Sequence, residues 1–315
     1  MSFAEVFGVM KLAAQQVLIL YLMVAVGFVT DKTRLFTEKA ALMCTDLLFY
    51  IITPAKIIES FLTLDYSADT LKNLFIAIGM GLLMHAIAAV IGTLSFNRCD
   101  KEKAAIYKYA CGYGNCGYMG LPLNNALVGP QGVFYCSAVI ISFQIFSFTH
   151  GITVMDKSEG AKKIDFKKII LNPGVIAVII GLPFYLLKIT LPETAFKPVE
   201  YIASLNTPLA MLMFGTYIAH SDFRSMFKNW RILAVAFIKL LVLPAIMIAL
   251  CKMFGFTGAL LSTLVLTASV PPANNTVLFA AKYGRDTGLA SQVVSAVSLM
   301  SVLTIPVTTG IACAL

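Results

Sequence analysis

The chain has 315 residues, of which 59% are hydrophobic and only 13% are charged, with a mean hydropathy of +0.84. Soluble domains carry about 25% charged residues, so the composition excludes a soluble globular protein and predicts a polytopic membrane protein. The formal net charge of +8 would also suit a nucleic-acid partner, but the placement of the basic residues makes that explanation unnecessary.

Ten apolar stretches are long enough to cross a bilayer, which takes about 20 helical residues. In chain order they are residues 6–29, 35–62, 71–96, 104–128, 131–154, 168–188, 196–219, 231–254, 257–281 and 287–314. The first stretch lacks a basic leader and is itself long enough to span, so we expect a membrane helix there and not a cleaved signal. The connections are short, and we expect no soluble catalytic domain.

The basic residues lie mainly in alternate connections. Seventeen of the 24 Lys and Arg follow spans 1, 3, 5, 7 and 9, whereas five lie on the opposite side. Because cytoplasmic loops carry the excess of Lys and Arg, this bias predicts that both termini are extracytoplasmic. It also accounts for the basic charge without nucleic acid. We expect a multi-pass protein of the plasma membrane, with the lipid bilayer as its surroundings.

Two sequence echoes indicate an internal repeat. Pro122-Leu123-Asn124-Asn125 returns as Pro272-Ala273-Asn274-Asn275, 150 residues later. Thr53-Pro54 returns as Thr207-Pro208, 154 residues later. Paired interrupted helices in corresponding places are a sequence pointer to a transporter's binding site.

The echoes divide the chain into two five-helix repeats. The first repeat is residues 1–155, the cytoplasmic connection is 156–167, and the second repeat is 168–315. Because each repeat has an odd number of spans, the second enters the membrane from the opposite side, and the repeats are inverted. Inverted repeats suit alternating access, since exchanging the roles of the halves gives two conformations of similar energy.

Spans 4 and 9 contain residues that break a helix. Span 4 has four glycines and Pro122 within residues 112–122, and span 9 has Pro271 followed by Pro272. Proline removes a backbone donor and clashes with the preceding turn. Free backbone groups at membrane depth need a protein interior or a wet cavity. The half-helix after each break would present unpaired N–H groups and a partial positive charge, which favours an anion such as a carboxylate.

Asparagines accompany both breaks, and their amides can donate and accept hydrogen bonds. A lone asparagine in a span more often joins helices or mends a kink, and this alternative stays open. A matched pair beside matched breaks favours a binding site instead. The candidate substrate-binding residues from this pattern are Pro122, Asn124, Pro271, Pro272, Asn274 and Asn275. Pro54 and Pro208 are better explained as simple kinks.

Ionisable residues within spans are costly and mark either function or pairing. Asp46 in span 2 and Lys239 in span 8 lie at comparable depth, so an ion pair between them is one alternative. Lys56 could attract an anionic substrate, but Glu59, three residues later, is the more natural local partner. Asp46, Lys56 and Lys239 are therefore candidates for coupling or charge pairing.

Two histidines within spans could titrate near physiological pH. We expect His85 in span 3 to be packed and hydrogen-bonded. His150 in span 5 follows Gln144 by almost two helical turns and shares roughly its face. His150 is therefore the better candidate for proton coupling.

No enzymatic chemistry is indicated. The seven cysteines are scattered, with neither zinc-ligand spacing nor a disulfide framework. No phosphate-cradling glycine loop ends in Lys-Ser or Lys-Thr, and no catalytic pair lies within the spans. We expect a protein that is not an enzyme and that has no metal site and no cofactor, apart from a coupling H⁺ or Na⁺.

Motifs in three spans carry a resemblance to a known family. They are Gly114-Asn115 and residues 119–123 in span 4, Asn172-Pro173 with Ala177 and Gly181 in span 6, and residues 268–271 and 279–284 in span 9. Over essentially its whole length the chain resembles the auxin efflux carrier family, which includes the plant PIN-FORMED carriers and bacterial malate or malonate permeases.

The resemblance implies an all-α fold of ten transmembrane helices in two inverted five-helix repeats, with broken helices 4 and 9 crossing near their prolines. It implies a transport domain (helices 3–5 and 8–10) on a scaffold (helices 1, 2, 6 and 7) that is often dimeric, so we expect a homodimer. It also implies that Asn115 and Gln144 help to bind a substrate carboxylate. Ile57 stands where the plant carriers have a polar residue, so a small metabolic carboxylate fits better than auxin.

We therefore expect a secondary transporter of small organic anions, mono- or dicarboxylates such as malate or malonate, that works by alternating access. A sodium- or proton-coupled carrier or antiporter of a related inverted-repeat fold is one alternative, although antiporters place acidic pairs where this chain has amides. A non-transporting membrane sensor is another, for which an appended signalling domain or a long cytoplasmic loop would be expected.

Overall fold

The computed structural model describes residues 3–157, 167, 170–220 and 229–314, and these residues are helical with short connections and no strand. Seven helical stretches in the described part are long and apolar enough to cross a membrane. They are Ala14–Lys32, Lys39–Thr63, Ala68–Phe96, Pro130–Met155, Glu193–Ala219, Trp230–Met253 and Thr287–Ala312. Pro173–Leu187 and Gly258–Ser269 are shorter apolar helices. The prediction of an all-helical, multi-pass membrane protein is confirmed.

The helices are numbered here in chain order. They are α1 (Phe3–Lys32), α2 (Glu38–Leu47), α3 (Thr53–Thr63), α4 (Ala68–Phe96), α5 (Lys101–Gly112), α6 (Leu121–Leu127), α7 (Pro130–Phe146), α8 (Ile152–Met155), α9 (Pro173–Leu187), α10 (Glu193–Ser204), α11 (Asn206–Ala219), α12 (Trp230–Phe237), α13 (Leu243–Met253), α14 (Gly258–Ser269), α15 (Asn275–Lys282) and α16 (Thr287–Ala314). The predicted connection 156–167 lies almost wholly outside the described residues, so the boundary between the repeats stays a prediction.

Four π-helical turns interrupt the described helices. They are Leu48–Ile52 between α2 and α3, Cys116–Gly120 before α6, Ser147–Gly151 between α7 and α8, and Ile238–Val242 between α12 and α13. In three cases a proline follows two residues later: Pro54, Pro122 and Pro244. Proline cannot donate to the carbonyl four residues earlier and its ring clashes with it. That carbonyl lies within the π turn each time, and the wider turn gives it room.

The break in the fourth span lies upstream of Pro122. α5 ends at Gly112, Tyr113 to Asn115 are not helical, and Pro122 sits in the first turn of α6. Proline is tolerated there because the carbonyl four residues earlier lies in the π turn Cys116–Gly120, whose wider turn makes room for the ring. The prediction that this helix crosses its partner near Pro122 is therefore wrong, and the glycines upstream allow the break instead. In the ninth span the break follows Ser269 and includes both prolines, as predicted.

Helix α1 packs against α11 with the two backbones in direct contact. A Cβ added to Gly27 would overlap the carbonyl of Leu212, and one added to Gly215 would overlap the carbonyl of Val24. Small residues allow such close approach between membrane helices, where van der Waals packing replaces the hydrophobic drive of water. Elsewhere α3 packs on α9 and α10, α4 on α5 and α7, and α7 on α14.

A cluster of charges ties three helix ends together. Arg285, between α15 and α16, bonds to the Glu102 carboxylate at 3.1 Å and donates to the carbonyls of Met155 at 2.8 Å and Asp156 at 3.3 Å. Lys157 completes the cluster, 2.9 Å from the other oxygen of Glu102. Its hydrogen bond is the main cause that lowers the pKa of the Glu102 carboxyl. Glu102 therefore stabilises the fold above its ordinary pKa, and this contribution is lost as the pH falls through the lowered value.

Replacing Gly215 with valine should force α1 and α11 apart, since the new side chain meets the backbone of Val24. Overpacking costs about 1–3 kcal/mol, and more where backbone must move, so we expect a loss of about 3 kcal/mol, measured as a lower melting temperature in detergent. Gly79→Ala is the control, because nothing lies within 4 Å of a Cβ added there. Equal losses in both variants would contradict the backbone contact.

Replacing Arg285 with methionine should free the ends of α5, α8 and α15, because one side chain makes all three links. Hydrogen bonds to charged groups contribute about 1.5–3 kcal/mol each, and the arginine side chain is only 7% exposed. We expect chemical denaturation to give a loss of about 2–3 kcal/mol. Lys197→Met, which removes an exposed pair with Glu200, should cost far less, because solvent screens an exposed ion pair. A comparable cost in the two variants would argue against the cluster as a structural tie.

Candidate functional site

The two broken helices meet at their breaks and bond to each other through the backbone. The Asn115 N–H donates to the Pro271 carbonyl at 2.8 Å, and the Ala273 N–H donates to the Tyr113 carbonyl at 2.9 Å. The pair forms an isolated antiparallel β-bridge. Each break thereby satisfies groups that the other leaves without a helical partner, which the interior of a membrane protein requires.

The bridge pairs Gly114 with Pro272. A Cβ on Gly114 would lie 2.8 Å from Lys239 Nζ and 2.9 Å from Val270 Cγ2, so glycine is what lets the two breaks approach. Pro272 has no N–H to leave unpaired. The crossing therefore depends on residue types that would weaken an ordinary helix.

A cavity of about 50 Å³ opens beside the crossing. Its walls come from both breaks, from the end of α7, from the π turn before α3, and from the start of α9. Amides make up most of its polar wall: Asn115, Gln144, Asn172, Asn274 and Asn275. Thr53 adds a hydroxyl, and none of the described residues that line the cavity is charged. Such a wall offers neutral hydrogen-bond donors to an anion.

Asn115 both mends the break and faces the cavity. Its Oδ1 accepts a hydrogen bond from the Tyr118 N–H at 3.1 Å, which caps the π turn Cys116–Gly120. Its Nδ2 makes no hydrogen bond to the residues described here, and the side chain lines the cavity. The two alternatives drawn from the sequence are thus combined in one residue, with the oxygen serving the backbone and the nitrogen left available.

Gln144 has a buried polar atom without a partner. Its Oε1 is inaccessible to solvent and meets no hydrogen-bonding group in the described part of the protein. An unsatisfied buried polar group costs about 1–3 kcal/mol, so this oxygen needs a donor such as water, and the NH₂ group is the part of the amide that can donate to an anion. The position of Gln144 at the end of α7 places its amide in the cavity wall beside Asn115.

The second break contributes Asn274 and Asn275 to the cavity wall. Asn274 is the N-cap of α15, but its side chain caps no backbone N–H. Asn275 begins α15. The positive end of the α15 dipole is therefore presented at the wall of the cavity.

Asn172 and Thr53 are two of the wall residues that were not predicted as binding residues from the sequence. Asn172 caps α9 by accepting from the Gly174 N–H at 2.9 Å, with Pro173 in the first helical position, as the sequence indicates. Thr53 Oγ1 accepts from Asn206 Nδ2 at 3.0 Å, a buried bond between α3 and α11. The echo of Thr53 in the second repeat was the available signal, since Asn206 directly precedes the matching threonine.

Four of the predicted substrate-binding residues do not line the cavity. Pro122 is buried in the first turn of α6 and does not line the cavity. Asn124 is fully buried, and its Nδ2 donates to the Gly120 carbonyl at 2.8 Å and to Thr267 Oγ1 at 3.3 Å, which joins α6 to α14. This is the helix-joining role of a membrane asparagine. Pro271, with Pro272, forms the crossing itself.

The ionisable candidates are dispersed. Lys56 pairs with Glu59 at 2.7 Å, as the local alternative requires. His150 Nδ1 lies 2.8 Å from the hydroxyl of Tyr113. Tyr113 is the first residue of the break that follows α5. Asp46 is exposed.

The alternative of an ion pair between Asp46 and Lys239 is wrong. Lys239 is 1% exposed, whereas Asp46 is exposed, and no bond joins them in the described structure. Two residues at a similar depth in the membrane need not face each other, because that also depends on how each helix is rotated.

The sequence profile of the family described as membrane transport protein matches residues 12–309 of the chain. The chain belongs to this family. The resemblance to the auxin efflux carriers is thereby confirmed, and the chain is a membrane transporter by family. The motifs on which the resemblance rests include Gly114 and Asn115 at the crossing and Asn172 in the cavity wall.

Three relatives of this family member extend over most of the chain. An uncharacterized transporter of Methanocaldococcus jannaschii is 23% identical over 304 residues, 92% of this chain and 95% of the relative. A protein of Rhizobium meliloti, provisionally named as a malonate transporter, is 23% identical over 237 residues, 73% of each chain. An uncharacterized transporter of Methanothermobacter thermautotrophicus is 21% identical over 300 residues, 93% of this chain and 96% of the relative.

Replacing Gly114 with alanine should disturb the crossing, because the new methyl group meets Val270 and Lys239. We expect a loss of about 2 kcal/mol, typical of overpacking, measured by thermal unfolding in detergent. Gly117→Ala is a matched control in the same segment, since nothing lies within 4 Å of a Cβ added there. If Gly117→Ala proved as destabilising as Gly114→Ala, loss of glycine flexibility and not contact at the crossing would be responsible.

Proposed function

We propose that the protein is a secondary transporter of small organic anions, mono- or dicarboxylates of the size of malate or malonate, that works by alternating access. The observation that carries this proposal is the amide-lined cavity at the crossing of two broken helices. Family membership supports transport, and the relative named for malonate supports the substrate class. The proposal is for a carrier and not an enzyme.

The chemistry of the cavity wall suits a carboxylate. Asn115 Nδ2 and the amide of Gln144 supply donors from the first repeat, and Asn274 with the N-terminus of α15 supplies donors from the second. Hydrogen bonds to a charged acceptor are stronger than neutral ones, so several amides hold an anion without a fixed cation in contact. Neutral donors also leave the empty site uncharged.

The location of the cavity suits alternating access. One part of its wall, including Thr53 and Asn172, belongs to the helices that the resemblance assigns to a scaffold. The other part, including Asn115, Gln144 and Asn274, belongs to the helices that it assigns to a transport domain. A displacement of one group against the other would carry the amides past the scaffold wall and change the side from which the anion enters. Ten helices in two inverted repeats, as proposed here, provide the two matching conformations.

The wider assembly follows from the same proposal. The scaffold helices α1, α2, α3 and α9 to α11 would form a homodimer, and the basic connections would face the cytoplasm with both termini on the other side of the plasma membrane. Sodium-driven transport is the competing form of the mechanism. It differs in one measurable property, because uptake would then require a sodium gradient.

Asn115→Asp tests the site with the capping bond kept. The aspartate oxygen still accepts from the Tyr118 N–H, but the donor is lost and a negative charge faces the anion. Because a hydrogen bond to a charged group contributes about 1.5–3 kcal/mol, we expect uptake of labelled malonate into proteoliposomes to require at least about tenfold more substrate. The melting temperature in detergent, measured in parallel, checks the fold.

Asn97→Asp is the matched control, because Asn97 is exposed and bonds to Lys108 outside the cavity. Its uptake should equal that of the wild type. Uptake by Asn115→Asp at the wild-type level would remove Asn115 from the site. Failure of the wild type to move malonate, malate or any other small carboxylate, with or without a sodium or pH gradient, would contradict the proposed function itself.

A further inference from the structure

Lys239 is a buried amino group without an acidic partner in the described structure. It lies in the π turn Ile238–Val242, is 1% exposed, and makes no hydrogen bond or ion pair with any residue described. An ammonium group in the interior normally needs a paired charge and hydrogen bonds. Within a membrane, such a residue marks function by default.

The amino group of Lys239 lies against the crossing. Its Nζ lies 2.8 Å from the position of a Cβ on Gly114. Gly114 also forms part of the cavity wall, whereas Lys239 does not. One glycine thus separates the cation from the space in which an anion would sit, and in a medium of low dielectric constant such a distance leaves a strong attraction.

No acidic side chain opposes the charge of Lys239. The groups that interact with it electrostatically are His85 from α4, Cys111 from α5 and Cys116 from the π turn before α6. Helices α14 and α16, which also pack against this turn, contain no Asp, Glu, Lys, Arg or His. Helices α5, α12 and α13 pack against it too, and their charged groups are Lys101, Glu102, Lys103, Lys108, Arg231 and Lys252. Glu102 is the one acidic group among them, and it pairs with Arg285 and Lys157. An anion in the cavity would therefore supply the negative charge that these helices do not.

His85 is the other titratable group at this place. Its Nδ1 lies 2.6 Å from the Gly81 carbonyl. A carbonyl only accepts, so the neutral ring carries its proton on Nδ1 and leaves Nε2 as an acceptor. Nε2 is buried without a partner among the described residues. His85 and Lys239 are 154 residues apart, the offset that separates Thr53 from Thr207.

We propose that Lys239, assisted by His85, is the proton-binding site that couples this carrier to H⁺, with the ammonium serving as the counter-ion of a carboxylate held across Gly114. The inference rests on the proposed transport of carboxylates. On binding, the Nζ lone pair takes a proton from water on the open side. On release, an N–H bond breaks and the pair stays on nitrogen, so anion and proton enter and leave together.

Thermodynamic linkage gives this coupling a measurable form. If the bound anion favours protonation of Lys239, protonation favours the anion by the same factor. The affinity for the carboxylate must then fall as the pH rises through the titration of the site, and each anion must take up a proton from the buffer over that range. A lysine with a purely structural role produces neither effect.

The test is calorimetric titration of malonate into the detergent-solubilised full chain, in two buffers of different ionisation enthalpy, between about pH 6 and pH 9. The wild type should take up as much as one proton per malonate. Lys239→Met should take up none and bind malonate about tenfold more weakly, within the usual range of coupling between sites. Lys239→Arg, which stays charged, should also take up none, and its affinity should no longer vary with pH.

Lys197→Met is the control, because the side chain of that lysine is exposed, pairs with Glu200 and does not line the cavity. It should match the wild type in affinity and proton uptake. If Lys239→Met fails to fold, Lys239→Arg decides the question. Malonate binding with wild-type proton uptake in the Lys239 variant overturns the proton site and leaves the carrier standing. Absence of carboxylate binding by the wild type overturns the proposed function, and the coupling with it.

Discussion

The fold depends on backbone groups that find their partners in the other half of the chain. Inside a bilayer an unpaired N–H or C=O costs several kcal/mol, so neither broken helix could persist alone. Asn115 and Pro271 make one of the two bonds that close the crossing, and Tyr113 and Ala273 make the other. The same breaks that need this exchange also free the amides that line the cavity. The stability of the crossing and the proposed binding site therefore originate in one local arrangement.

Proline shapes the surroundings of the crossing through π turns and not through simple kinks. The turn before Pro54 places Phe49 in the cavity wall, and the turn before Pro122 places Cys116 and Tyr118 there. The turn before Pro244 holds Lys239. Each of these prolines follows a π turn, and the extra residue in that turn changes the direction in which the side chains on either side of it point. The effect follows from a missing donor four residues upstream.

Much of the architecture could be predicted because apolar length and the breaks in it are encoded locally. Composition predicts the membrane, and the pair Pro271-Pro272 marks one break correctly because two positions without donors cannot continue a helix. The break in span 4 lies within the predicted glycine-rich segment, at residues 113–115, but the predicted crossing near Pro122 was wrong, because the π turn before Pro122 accommodates the proline without interrupting the helix. Asn124 and Lys239 show the limit of such reasoning. Which neighbour a buried side chain contacts depends on how each helix is rotated about its axis. The position of a residue along a transmembrane span does not determine that rotation.

The contact between α1 and α11 has a mechanical consequence. Gly27 and Gly215 bring the two backbones into direct contact. No side chain lies between them that could change its rotamer and allow a shear motion. If one helix slid along the other, a carbonyl would clash with the opposing main chain, so the two helices cannot move independently along their axes. Any conformational change must then occur between other helices, whose contacts are less close. In such a change α1 and α11 would keep their relative position and behave as one rigid body.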